Sequence, residues 1–139
     1  ISFRNQEQET YVIPNGVRNV RFGAFINCKS LTDIIIPNSM TIIGNAAFSG
    51  CISLKSINIP DGVIRIGNAA FAGCISLKSI NIPDGVIRIG NYAFFGCRSL
   101  SNIVISDSVS NIGRVAFHGC SLSSNLKQEL ISRFGNKIF

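Results

Sequence analysis

Apolar residues in this chain return at fixed places along a long period. Leucines stand at Leu31, Leu54, Leu77 and Leu100; three residues on come Ile34, Ile57, Ile80 and Ile103, and two further on Ile36, Ile59, Ile82 and Ile105. The spacing L-x-x-I-x-I ends in a period-2 alternation of β-branched residues, which predicts a short strand with one face buried. Pro14, Pro37, Pro60 and Pro83 follow, where a residue without an N–H can end a hydrogen-bond ladder. Asn15, Asn38, Asp61, Asp84 and Asp107 come next, with Gly16, Gly62 and Gly85 behind them, so the chain turns there. A second apolar segment, V-x-x-I-G, occupies 63–67 and 86–90, with variants at 40–44 and 109–113, and N-x-A-F-x-G-C closes the unit. A helical or 3₁₀ turn is expected around A-F-x-G-C, too short to be stable alone.

The period is 23 residues, kept without a gap by Cys28, Cys51, Cys74, Cys97 and Cys120 and by Phe25, Phe48, Phe71, Phe94 and Phe117. Residues 51–71 return as 74–94 with only Ala69 changed, to Tyr92. Such a period predicts a repeat solenoid. One coil cannot bury its apolar columns, because they would face water above and below; stacked coils about 4.8 Å apart bury each column against itself, and stability becomes nearest-neighbour. The small Ala24, Ala47, Ala70, Ala93 and Ala116 beside the Phe column suit interdigitated packing. The expected organisation is one domain over 1–139. Residues 1–27 form an N-terminal cap and degenerate first repeat, with Asn5, Gln8 and Arg21 in the Cys, Leu and Gly columns; 28–121 form four 23-residue repeats. Residues 122–139 form a helical cap with Leu126, Leu130 and Phe134 on one face, Asn125 as N-cap, Gln128 at N3 and Gly135 as the stop.

Composition adds boundaries to this picture. A chain of 139 residues that is 46% apolar suits one packed unit. No apolar run approaches the roughly 18 to 20 residues that cross a bilayer, so no membrane insertion is expected; the start at Ile1, without Met or a signal-like stretch, reads as a fragment or processed chain. The net charge of +6 is scattered, without a dense basic run or interleaved aromatics, which reads as solvated surface charge and gives no expectation of nucleic acid. Five cysteines in register cannot all pair, and parallel Cβ vectors fit a disulfide torsion poorly, so buried free thiols are expected. With a single histidine, His118, read as exposed, and no C-x-x-C pair, there is no metal site and no Ser-His-Asp set. Glycines recur with the repeat rather than as a phosphate loop, and Asp61, Asp84 and Asp107 are read as turn formers in preference to a calcium ladder. The expectation is a chain with no enzymatic activity and no cofactor.

The pattern L-x-x-I-x-I-P-x-x-V-x-x-I-G-x-x-A-F-x-x-C, seen from Leu54 to Cys74 and from Leu77 to Cys97, resembles the BspA-like (Treponema-type) leucine-rich repeats over roughly residues 5–121. The departures at Gln8, Arg21, Asn27 and Ser106 fall in end repeats or single columns. The resemblance implies a right-handed leucine-rich-repeat superhelix with a parallel β-sheet on the concave face, short strands and helical or 3₁₀ turns on the other sides, and a C-terminal capping helix. It also implies an extracellular or cell-surface bacterial protein whose relatives act as adhesins on host or bacterial proteins. Strand alternation then points Asp33, Ser56, Ser79 and Asn102 outward in one column and Val12, Ile35, Asn58, Asn81 and Val104 in the next, with Lys55 and Lys78 beside them. Exposed Ile35 and Val104 can mark an interaction site or be tolerated on a wet strand face. Two functions follow: a protein-binding module acting through the concave sheet, which the resemblance favours, or a structural spacer or antigenic segment, which near-identical repeats favour.

Overall fold

The computed structural model describes residues 9–139, so the expected substitutions at Asn5 and Gln8 lie outside the described residues. The chain forms a parallel β-solenoid with one C-terminal helix. Every strand pairing is parallel and joins residues 23 apart, from Thr10 with Asp33 to Ile82 with Ile105. Strands β2 (Asn19–Val20), β4 (Ile42–Ile43), β5 (Arg65–Ile66), β7 (Arg88–Ile89) and β9 (Asn111–Ile112) make one uninterrupted five-stranded sheet. They come from the V-x-x-I-G segment. The L-x-x-I-x-I segment supplies β1 (Thr10–Val12), β3 (Asp33–Ile35), β6 (Ser79–Ile82) and β8 (Asn102–Ile105), which pair as β1 with β3 and β6 with β8. The expected sheet is therefore present but divided: residues 51–60 contain no strand, although Ile57 and Ile59 stay buried there. Residues 51–59 are identical to 74–82, so local propensity does not explain the break.

Like side chains touch like throughout the interior. Phe25, Phe48, Phe71, Phe94 and Phe117 form one stack, with centroids 5.1 to 5.4 Å apart and planes within 3 to 7° of parallel. The spacing follows the rung repeat of about 4.8 Å and falls in the range of centroid distances that aromatic pairs favour. The described cysteines are free thiols, all buried except half-buried Cys120. The Cys51, Cys74 and Cys97 thiols donate to the carbonyls of Phe25, Phe48 and Phe71 at 3.1 to 3.2 Å, which satisfies the S–H inside an apolar column.

The segment A-F-x-G-C keeps the three-residue hydrogen-bond span of a 3₁₀ turn but does not wind into a helix. Ala47, Ser49 and Cys51 donate to the carbonyls of Gly44, Ala46 and Phe48, whereas the intervening Ala46, Phe48 and Gly50 donate to Asn68, Ala70 and Ala72 of the next coil at 2.8 Å. Alternate N–H groups thus close turns and tie coils together. The left-handed φ of Ala46 (55°) and Gly50 (75°) stops the helix at each turn.

At the C-terminal end, helix α1 (Ser124–Phe134) lies against the last coil with Leu130 buried and Leu126 and Phe134 half-buried. Its N-cap is Ser123 rather than Asn125: Ser123 has the extended backbone a cap requires, and its Oγ accepts from Leu126 N at 3.2 Å. Gly135 ends it with φ 87°, as expected. A 3₁₀ turn at Asn136–Ile138 follows, and the carbonyls of Lys137 and Ile138 accept from Val115 and Phe117 N–H groups, filling the place of a further coil.

Candidate functional site

What the architecture presents among the described residues is two exposed strand faces. Asp33, Ile35, Lys55, Ser56, Asn58, Lys78, Ser79, Asn81, Asn102 and Val104 are all exposed. Ser79 is in register with Asn102, and Asn81 with Val104, on β6 and β8. Asp33 and Ile35 lie on β3 beside Thr10 and Val12. Ser56 and Asn58 fall in the strandless stretch between the two pairs, joined to the next coil where Lys78 N donates to Lys55 O at 3.3 Å. Three apolar side chains stand out on this face: Val12, Ile35 and Val104, each more than half exposed at 52 to 58%. The face is shallow, with a recess of about 230 Å³ at its proline end against Asp84 and Val104.

The five-stranded sheet carries a second feature that the strand pattern did not point to. A groove of about 470 Å³ runs across the coils, lined by Arg65, Arg88, Asn45, Asn68, Gly67 and exposed Phe22 among others. Its floor has no side chains. A Cβ on Gly67 would sit 2.6 Å from Asn45 N, and one on Gly90 2.6 Å from Asn68 N, so the previous coil's backbone demands glycine in this column. One wall is an asparagine ladder of Asn45 and Asn68, continued by Asn91 in the adjoining recess; the three accept through Oδ1 from the backbone N–H of Asn68, Asn91 and Arg114 at 2.8 to 2.9 Å. The other wall is Arg65 and Arg88, in register on β5 and β7 and pointing outward. The recurring I-G-N triplet was the available signal, but its purpose depends on contact with a coil 23 residues away.

Among the described residues no group of three or more His, Cys, Asp or Glu is placed to hold a metal ion, and no helix is long and apolar enough to cross a membrane. His118 is exposed; its Nδ1 is 2.9 Å from Phe139 O, and its ring stacks on Phe95 at 5.4 Å. Asp84 accepts from the Ser106 hydroxyl in the turn column.

Comparison with known proteins agrees with this geometry. The model of the BspA type leucine rich repeat region matches residues 1–123 and 65–139, in six copies. A leucine rich cell surface protein of Faecalibacterium prausnitzii is 34% identical over 94% of the chain, with a TM-score of 0.80. The chain spans 36% of that protein's length. The pneumococcal vaccine antigen PcpA (20% identity, TM-score 0.72, 99% of this chain and 42% of that one) has the same fold. So does a leucine rich repeat protein of T. pallidum (22%, 0.62, 91% and 83%). No curated protein matches the sequence significantly. Five stacked phenylalanines, a strict 23-residue register and a family match across the whole length lead to one conclusion: the chain belongs to the BspA-type leucine-rich repeat family.

Proposed function

We propose that the chain is a non-enzymatic binding module of a bacterial cell-surface or secreted protein, engaging a protein partner across the sheet that carries Asp33, Ile35, Lys55, Ser56, Asn58, Lys78, Ser79, Asn81, Asn102 and Val104. The observation that carries this reading is the outward column in which Val12, Ile35 and Val104 stand exposed with Asn58 and Asn81 between them. Apolar groups interspersed with amides on an open strand face suit a protein interface, whose core gains from desolvating them. Surface location is supported by likeness to the cell surface protein of Faecalibacterium prausnitzii. Boundaries at 1–27, 28–121 and 122–139 belong to the same reading.

A spacer role is the second reading, favoured by the coils 51–73 and 74–96, which differ only by Ala69 against Tyr92 and Ala72 against Phe95. A surface selected for one ligand gains from varied columns. Capture of host-matrix proteins by the wild-type chain, compared with Ile35→Asn, Asn58→Ala and Asn81→Ala combined, separates the two. Binding reduced at least tenfold supports the module; equal capture by both proteins removes the sheet from consideration.

A further inference from the structure

The groove on the five-stranded sheet presents hydrogen-bond donors from both walls. Each of Asn45, Asn68 and Asn91 has its Oδ1 engaged by a backbone N–H, which fixes the amide and leaves its NH₂ without a protein acceptor among the described residues. Arg65 and Arg88 face them across the glycine floor, and among the described residues neither has a carboxylate within ion-pair distance; the ion pair present there is Arg133 with Asp107. The floor N–H groups are already used, since Gly44, Gly67 and Gly90 donate to Val20, Ile43 and Ile66 of the coil below. Two guanidinium groups on adjacent rungs repel, and no acidic group among the described residues offsets that repulsion.

We propose that this groove binds an acidic polysaccharide, a sugar chain bearing carboxylate or sulfate groups. Guanidinium forks pair bidentately with such anions, and the asparagine NH₂ groups complement ring and hydroxyl oxygens. The spacing discriminates against an acidic peptide. Arginines on neighbouring rungs are about 4.8 Å apart, whereas same-side side chains of an extended peptide recur every 6.6 Å or so. A peptide also brings backbone N–H donors to walls whose free polar groups are themselves donors, the remaining wall residue Ile42 being apolar. Phe22, 75% exposed at one end of the groove, gives an apolar face for the C–H side of a sugar ring.

This site is independent of the protein-binding face and is tested separately. Titration calorimetry of the whole chain uses polygalacturonate and heparin as probes, with neutral dextran and poly-L-glutamate as comparisons. Binding of either acidic glycan, weakening with salt and absent for dextran, is expected. Arg65→Gln with Arg88→Gln weakens it at least tenfold, while Lys55→Gln with Lys78→Gln, which removes the same charge from the face proposed for protein binding, leaves it within twofold. All four side chains are exposed, so both variants retain the fold, as circular dichroism will verify. Equal loss in the two variants, poly-L-glutamate binding as tightly as the glycans, or no binding to either glycan overturns the proposal.

Discussion

Gly67 and Ala69 stand two residues apart and meet opposite demands. Gly67 needs no special φ, yet an added methyl would be driven into the backbone of Gly44 and Asn45 at 2.6 to 2.7 Å. Ala69 has room but sits at φ 55°, where an L-residue costs roughly 1 to 2 kcal/mol. Gly67→Ala is therefore expected to destabilise the fold by about 3 kcal/mol, at the upper end of overpacking effects, because backbone cannot move aside like a side chain. Ala69→Gly should stabilise by roughly 0.5 kcal/mol, the relief of strain slightly exceeding the added freedom of the unfolded chain. Urea denaturation of both variants decides this; a neutral Gly67→Ala or a destabilised Ala69→Gly contradicts the packing described.

At the scale of elements, what could be read in the letters depended on whether a cause was local. Helix α1 was legible from Leu126, Leu130 and Phe134, because i, i+4 spacing is the helix's own period. Its start was misplaced by two residues, since Ser123 and Asn125 are equally good caps by type and only backbone direction chooses. Ser123→Ala should thus cost about 1 kcal/mol in thermal or urea unfolding, and Asn125→Ala, inside the first turn, roughly half a kcal/mol or less; the reverse order would restore Asn125 as the cap. Short strands away from the concave face were expected and are present, but their joining into one five-stranded sheet was hidden, because two-residue strands are too short to show alternation. The break at 56–59 left no mark either, the same letters forming strand at Ser79–Ile82. Left-handed turns at Ala46 and Ala69 carry no signature, alanine being unremarkable in sequence. The ten outward residues were legible as exposed, since alternation and burial share one period; the Arg65 and Arg88 groove was not, since its walls come from successive coils.

For the whole molecule, stability rests on columns repeated from coil to coil, and two consequences follow. The first concerns alkali. Burial, with a neighbouring thiol adding to it for Cys51 and Cys97, pushes the Cys51, Cys97 and Cys120 thiols from an ordinary 9.0 up to about 12, and burial raises Cys74 as well. These folded-state values lie above the unfolded ones, so their stabilising contribution is complete below about pH 9 and is lost as pH climbs toward 12. Each such thiol gives a slope of about 1.4 kcal/mol per pH unit in that window. The melting temperature should fall steeply above pH 9, and Cys51→Ala with Cys97→Ala should flatten the fall; an unchanged slope would show that the thiols ionise freely in the fold. The second concerns length. Excising residues 51–73 joins coil 28–50 to coil 74–96, whose facing residues match those removed except at Tyr92 and Phe95. The interior contacts of Phe48 then pass to Phe94 in the same geometry, and β4 meets β7 in the register it now shares with β5. Nearest-neighbour energetics expects a folded, cooperative chain with an m-value reduced by about one sixth, in proportion to the surface lost. Excising 52–73 instead leaves every later residue one position out of column and turns buried side chains toward water, as a one-residue slip does in any sheet. Circular dichroism and urea unfolding should show the first deletion native and the second unfolded; if both fold equally well, column-on-column stacking is not what holds the solenoid together.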